Sequence, residues 1–73
     1  MSTITEAVRE QLMVGNEQYQ RLREEHHRYA VLLDALSAKS HLSDDEQVEE
    51  LRLKKLKLRV KDQMELLVHQ AVH

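Results

Sequence analysis

The sequence predicts an all-α fold: an antiparallel, coiled-coil-like helical hairpin led by a short N-terminal helix. Three observations point there. Apolar side chains recur at three- and four-residue steps in two stripes, one through Tyr19, Leu22, His26, Tyr29, Leu33 and Leu36, the other through Leu53, Leu56, Val60, Met64, Leu67 and Ala71. Such spacing returns each side chain to the same face of a helix. Proline is absent and glycine occurs once in 73 residues, so little interrupts long helices. Between the stripes, Ser37 to Leu42 is a short polar stretch suited to reversing the chain.

The first helix is expected at about 4–14. Thr3 and Glu6 form a T-x-x-E capping box, and Ile4, Val8 and Leu12 share one face with Ala7 beside them. Gly15 falls where a left-handed C-terminal residue is wanted, and Asn16 can cap the next helix. The break at 15–16 is a bend within one domain spanning 1–73, because so short a helix is unstable alone.

The second helix is expected at about 17–38. Glu17–Arg21, Arg21–Glu25 and Glu24–Arg28 stand four residues apart on its outer faces, each pair contributing ~0.3 kcal/mol. The third is expected at about 44–72. Ser43-Asp44-Asp45-Glu46 is a second capping box, with Leu42 placed before it as a hydrophobic staple. Asp44, Asp45, Glu46, Glu49 and Glu50 put negative charge at the positive end of the helix dipole.

A turn centred near His41 sets an antiparallel register. Leu36 then meets Val48, Tyr29 meets Leu53, His26 meets Leu56, Leu22 meets Val60 and Tyr19 meets Met64. Each expected partner is apolar, so two independent patterns agree. Leu67, Val68 and Ala71 extend beyond the start of the second helix, where the first helix or another subunit must cover them.

Composition narrows the function classes. The formal net charge is -2, with 33% of residues charged and both signs mixed, which argues against a wholly basic nucleic-acid binder and an acidic tail protein. The chain has no cysteine, which excludes disulfides and thiolate zinc sites. Met1 to Glu10 lacks the basic-then-apolar pattern of a secretory signal. No run approaches the roughly 18 apolar residues of a membrane span. A soluble cytoplasmic protein is expected, without a membrane association.

A chain of this size buries only about 60% of its unfolded surface, and here aromatic residues make up 3%. Self-association is the expected source of further burial. Leu51 and Leu58 lie off the main stripe, one heptad apart. A helix apolar on two sides is rarely satisfied by one partner. With Leu67 and Val68 they are the interface candidates. The expected partners are further copies of the chain, as a dimer or higher oligomer, or an unidentified protein.

The densest charge feature is Arg52, Lys54, Lys55, Lys57, Arg59 and Lys61. These residues are the basis of an alternative reading, nucleic-acid binding through the third helix. Wound into a helix the run divides, with Arg52, Lys55 and Arg59 on one side of the apolar stripe and Lys54, Lys57 and Lys61 on the other. Their stems then cover the seam while the charges stay in water, and no aromatic residue is interleaved to stack on bases.

His26 occupies a seam position facing Leu56, which suits a hydrogen-bonded, partly buried imidazole. His69 and His73 have the four-residue spacing of a metal-binding pair without a glutamate placed between them. No glycine-rich phosphate loop or nucleophile with a placed base appears, and a thin hairpin offers little concavity. The chain is expected to be no enzyme, with no cofactor, metal or small-molecule substrate. Convergence of His26, Lys61 and Asp62 would overturn that expectation.

Leu53-Lys54-Lys55-Leu56-Lys57-Leu58-Arg59-Val60-Lys61-Asp62-Gln63-Met64 resembles the L-K-x-x-K-L-x-L-K-D-E-I signature of the YdcH-like family, small bacterial proteins classed as a domain of unknown function. Tyr19, Leu22 and Glu25-His26 are similar to that family's aromatic-x-x-L-x-x-x-H segment, and His41-Leu42-Ser43-Asp44 to the opening of its last helix. The chain departs from the pattern at Leu56, Val60, Gln63 and Met64. The resemblance implies a bacterial cytosolic helical hairpin that oligomerises and directs attention to His26, Lys57, Lys61 and Asp62. It implies no activity.

Overall fold

The computed structural model describes residues 3–72, apart from the side chain of Thr3. They form three helices, α1 (Thr3–Gly15), α2 (Glu17–Ser37) and α3 (Asp44–Val72), and no strand is present among the described residues. The capping box at Thr3 and the metal-ligand spacing at His73 lie outside the described residues.

α1 passes into α2 through one extended residue. Asn16 has φ -121° and ψ 108°, and its Oδ1 accepts the Tyr19 N–H at 2.8 Å, which satisfies an orphan donor in the first turn of α2. Its own N–H still donates to the Leu12 carbonyl at 2.9 Å, so α1 stays helical to the corner. Gln20 reaches back across the corner, and its Nε2 donates to the carbonyls of Met13 and Val14. Side-chain capping therefore replaces the expected left-handed glycine: Gly15 has no positive φ and lies within α1.

α2 ends without a breaker residue. The Ser37 hydroxyl donates to the Asp34 carbonyl, and the Lys39 N–H closes a tighter turn on the Leu36 carbonyl at 3.2 Å. Such bonds use up the last carbonyls of the helix. After the turn, the Ser43 N–H donates to Glu46 Oε1 at 3.0 Å and the Glu46 N–H to Ser43 Oγ at 3.2 Å, a reciprocal capping box. Lys39 adds a cross-loop ion pair to Glu46. The lysine bond, followed by the Ser43 N–H, pulls the Glu46 carboxyl down to about 2.

α3 sets the long dimension of the molecule, whose extents are 45 × 21 × 16 Å. α2 doubles back along it: Lys39 meets Glu46, Tyr29 lies near Arg52, and His26 lies near Lys57 and Lys61. α1 packs against both other helices. It covers the end of α3 that α2 does not reach, where Thr5 and Arg9 share a cleft with Glu65, Val68 and His69.

The buried core among the described residues is Tyr19, Leu22, Leu53, Val60 and Val68, with Leu53 most buried at 2% exposure. His26, Tyr29, Leu33, Leu36, Leu56, Met64 and Leu67 are half-buried around it. In α1, Val8 and Leu12 are half-buried while Ile4 is exposed. One expected pairing differs. Val48 is 66% exposed and is not covered by Leu36, because it precedes Leu53 by five residues and so lies about 140° around the helix from the core face. His26 faces Lys57 and Lys61 as well as the apolar seam. The ion pairs expected along α2 are not closed; those among the described residues are Lys39–Glu46, Glu49–Arg52 and Glu50–Lys54.

Candidate functional site

α3 carries a second apolar row facing away from the hairpin. Val48, Leu51, Leu58 and Leu66 are 66%, 57%, 60% and 57% exposed. At 3.6 residues per turn they fall within about 80° of one another, nearly opposite Leu53 and Val60. Lys55 and Asp62 lie inside the same arc, so the row reads Val48, Leu51, Lys55, Leu58, Asp62, Leu66. Lys55, Leu58, Arg59, Asp62, Gln63 and Leu66 line a shallow groove of about 380 Å³ along it. Elsewhere among the described residues, exposed large apolar residues are single or adjacent: Ile4 and Val14 on α1, Val31 and Leu32 on α2, and Val72 at the end of α3. Scattered exposure of that kind is ordinary, whereas an aligned row is not.

The expected interface residues divide in consequence. Leu51 and Leu58 are on the outer row, Leu67 is half-buried, and Val68 is 7% exposed, a core residue beside α1 rather than a surface one. Leu66 and Val48 complete the row. Leu66 was detectable from sequence, since it follows Leu58 by eight residues and returns to the same side. Distance from the turn alone sets Val48 beside Leu36, whereas its angular position on α3 turns it outward.

On the other side of Leu58 lies a larger groove of about 760 Å³ between α2 and α3, floored by Tyr19, Leu33, Met64 and Val68. Its polar lining is His26, Arg9, Lys54, Lys57, Lys61 and Glu65. Burial, then the charges of Lys57 and Lys61, then His27, push the His26 imidazole below its usual value. The carboxylate in the same lining is that of Glu65, and the two ammonium groups beside the imidazole disfavour its protonated form. Asp62 lines the opposite groove, so the arrangement does not unite His26, Lys61 and Asp62.

The basic run divides between these grooves. Lys54, Lys57 and Lys61 line the larger and Lys55 and Arg59 the smaller. Arg52 grips Glu49, its Nη2 2.7 Å from Oε1 and its Nε 3.1 Å from Oε2. Those bonds lower the carboxyl and raise the guanidinium. Lys54 lies 3.6 Å from Glu50. Among the described residues no cluster of His, Cys, Asp or Glu could hold a metal ion, and no helix is long and apolar enough to cross a membrane. Comparison with family models, curated proteins and solved structures finds no match to this chain.

Proposed function

We propose that the protein is a non-catalytic interaction module that docks another helix along the outer face of α3. One observation carries the reading: Val48, Leu51, Leu58 and Leu66 form an exposed apolar row on a chain whose described core is only five buried residues. Water-exposed apolar rows mark protein contact surfaces, and a small helical domain gains most from added burial. The coiled-coil-like spacing of the row favours a helix as its occupant. The similarity of Leu53–Met64 to the YdcH-like pattern supports the same picture, a cytoplasmic bacterial protein that assembles without catalysing a reaction.

The rival reading, nucleic-acid binding through Arg52–Lys61, has less support. Its cations are shared between two grooves, and Arg52 and Lys54 are engaged with Glu49 and Glu50. A backbone-tracking protein needs its cations in one row. Binding of mixed RNA and DNA at about 50 mM salt, weakening steeply as salt rises, would restore it.

A photo-crosslinking residue placed at Leu58, and another at Glu24 on α2, tests the interface in intact cells. The reading expects protein adducts from position 58 and none from position 24. Equal labelling at both positions, or none at either, overturns it.

A further inference from the structure

We propose that the occupant of the outer row is a second copy of this chain, with the two α3 helices antiparallel about a two-fold axis beside Leu58 and Arg59. This rests on the reading of that face as an interface and names its partner. Between Leu51 and Leu66 the row is self-complementary on reversal, and Val48 falls opposite His69 of the other copy. Leu51 and Leu66 lie equally far on either side of the Leu58–Arg59 midpoint, and both are exposed. Lys55 and Asp62 also lie equally far from it, and both line the groove beside Leu58.

Laying one α3 on another in this register places Leu51 of each copy on Leu66 of the other. Lys55 of each copy then meets Asp62 of the other, and the two Leu58 side chains meet at the axis. The operation closes on itself, as a two-fold interface must. A parallel, in-register pair would instead set lysine against lysine and aspartate against aspartate, which opposes association. The two polar residues that interrupt the row thus serve as register markers, a role charged residues play in paired helices. An unrelated helix would require no such symmetry about one point.

The chain contains no cysteine, so introduced thiols report without background. L51C chains mixed with L66C chains and oxidised are expected to cross-link to each other. Neither should cross-link to itself, because equal positions are roughly 22 Å apart along the axis at 1.5 Å per residue. Self-cross-linking of each chain alone would show a parallel pair and overturn the proposal.

Charge reversal provides the second arm. K55E and D62K should each weaken the dimer by roughly tenfold or more, since each turns both ion pairs of the two-fold interface repulsive. An equimolar mixture of the two should regain it. Single variants that associate as tightly as the parent overturn the pairing. A parent chain that stays monomeric in sedimentation at high micromolar concentration, yet yields adducts with a different protein from position 58, overturns the second copy as occupant while leaving the interface reading in place. Absence of adducts from position 58 removes both.

Discussion

The inner and outer faces of α3 have nearly the same chemistry and different surroundings. Leu53, Val60 and Val68 are enclosed by α2 and α1, whereas Leu58 and Leu66 remain more than half exposed. Both rows are built from leucine and valine at helical spacing, so hydrophobicity alone does not decide which face holds the monomer together. Interruptions do. The inner row is continuous, while the outer is broken by Lys55 and Asp62. A continuous row suits permanent burial, and a row with charges inside it can stay in water until a partner arrives.

Truncation on the two faces should expose the largest contrast. Leu53→Ala removes the most buried side chain and is expected to cost about 3 kcal/mol, measured by urea unfolding followed by circular dichroism. Leu58→Ala, at a 60% exposed site, should stay within about 0.5 kcal/mol in the dissociated chain. Equal losses at the two positions would dissolve the distinction between the faces.

A change that weakens α3 at its root should lower stability without shifting the contrast. Ser43→Ala deletes the hydroxyl that accepts the Glu46 N–H and is expected to cost about 1 kcal/mol, read as a lower melting temperature. At the other corner, Gly15 has no positive φ and open space around an added Cβ. Gly15→Ala should therefore stabilise α1, the helix covering the Val68 end of the inner face, by about 0.5–1 kcal/mol.

Acid should act on the inner side through two groups. The His26 imidazole is depressed in the folded chain by burial and by Lys57, Lys61 and His27. The unfolded chain therefore takes up the proton first, and stability present above the usual histidine value of about 6.5 declines as pH falls below it. His26→Leu should flatten that decline between about pH 7.5 and 5.5 in thermal melts. A second decline should begin in the ordinary carboxylate range, where the unfolded chain takes up the proton first, and run down to the folded Glu46 value of about 2, where protonation releases Lys39 and Ser43. Lys39→Met should reduce that second decline, and an unchanged acid profile would show that the cross-loop bond contributes little.

The helices were legible because their signals are local. The Ser43–Glu46 box and the Asn16 cap are each read within four residues, and both form as their residue types dictate. The Gly15 corner was not legible in detail, since Gln20 caps the Met13 and Val14 carbonyls, a tertiary solution that leaves a glycine's conformational freedom unused. Half-buried Tyr29 lies near Arg52 and half-buried His26 near Lys57, the order along α3 that an antiparallel hairpin requires. The register fails at Val48, which the turn length sets beside Leu36 but the helical rotation carries outward. The outer row was only half visible: Leu51 and Leu58 stood out by their heptad spacing, while Leu66 was hidden beside Leu67 and Val68, neighbours that point into the hairpin.

Sedimentation equilibrium of the parent chain beside Leu58→Asp tests most directly whether α3's outward row is a contact surface for its own copies. The expected result is a dimer mass for the parent at micromolar concentration and a monomer mass for the variant, with equal helix content by circular dichroism. Identical masses for the two, with both chains fully helical, would contradict it.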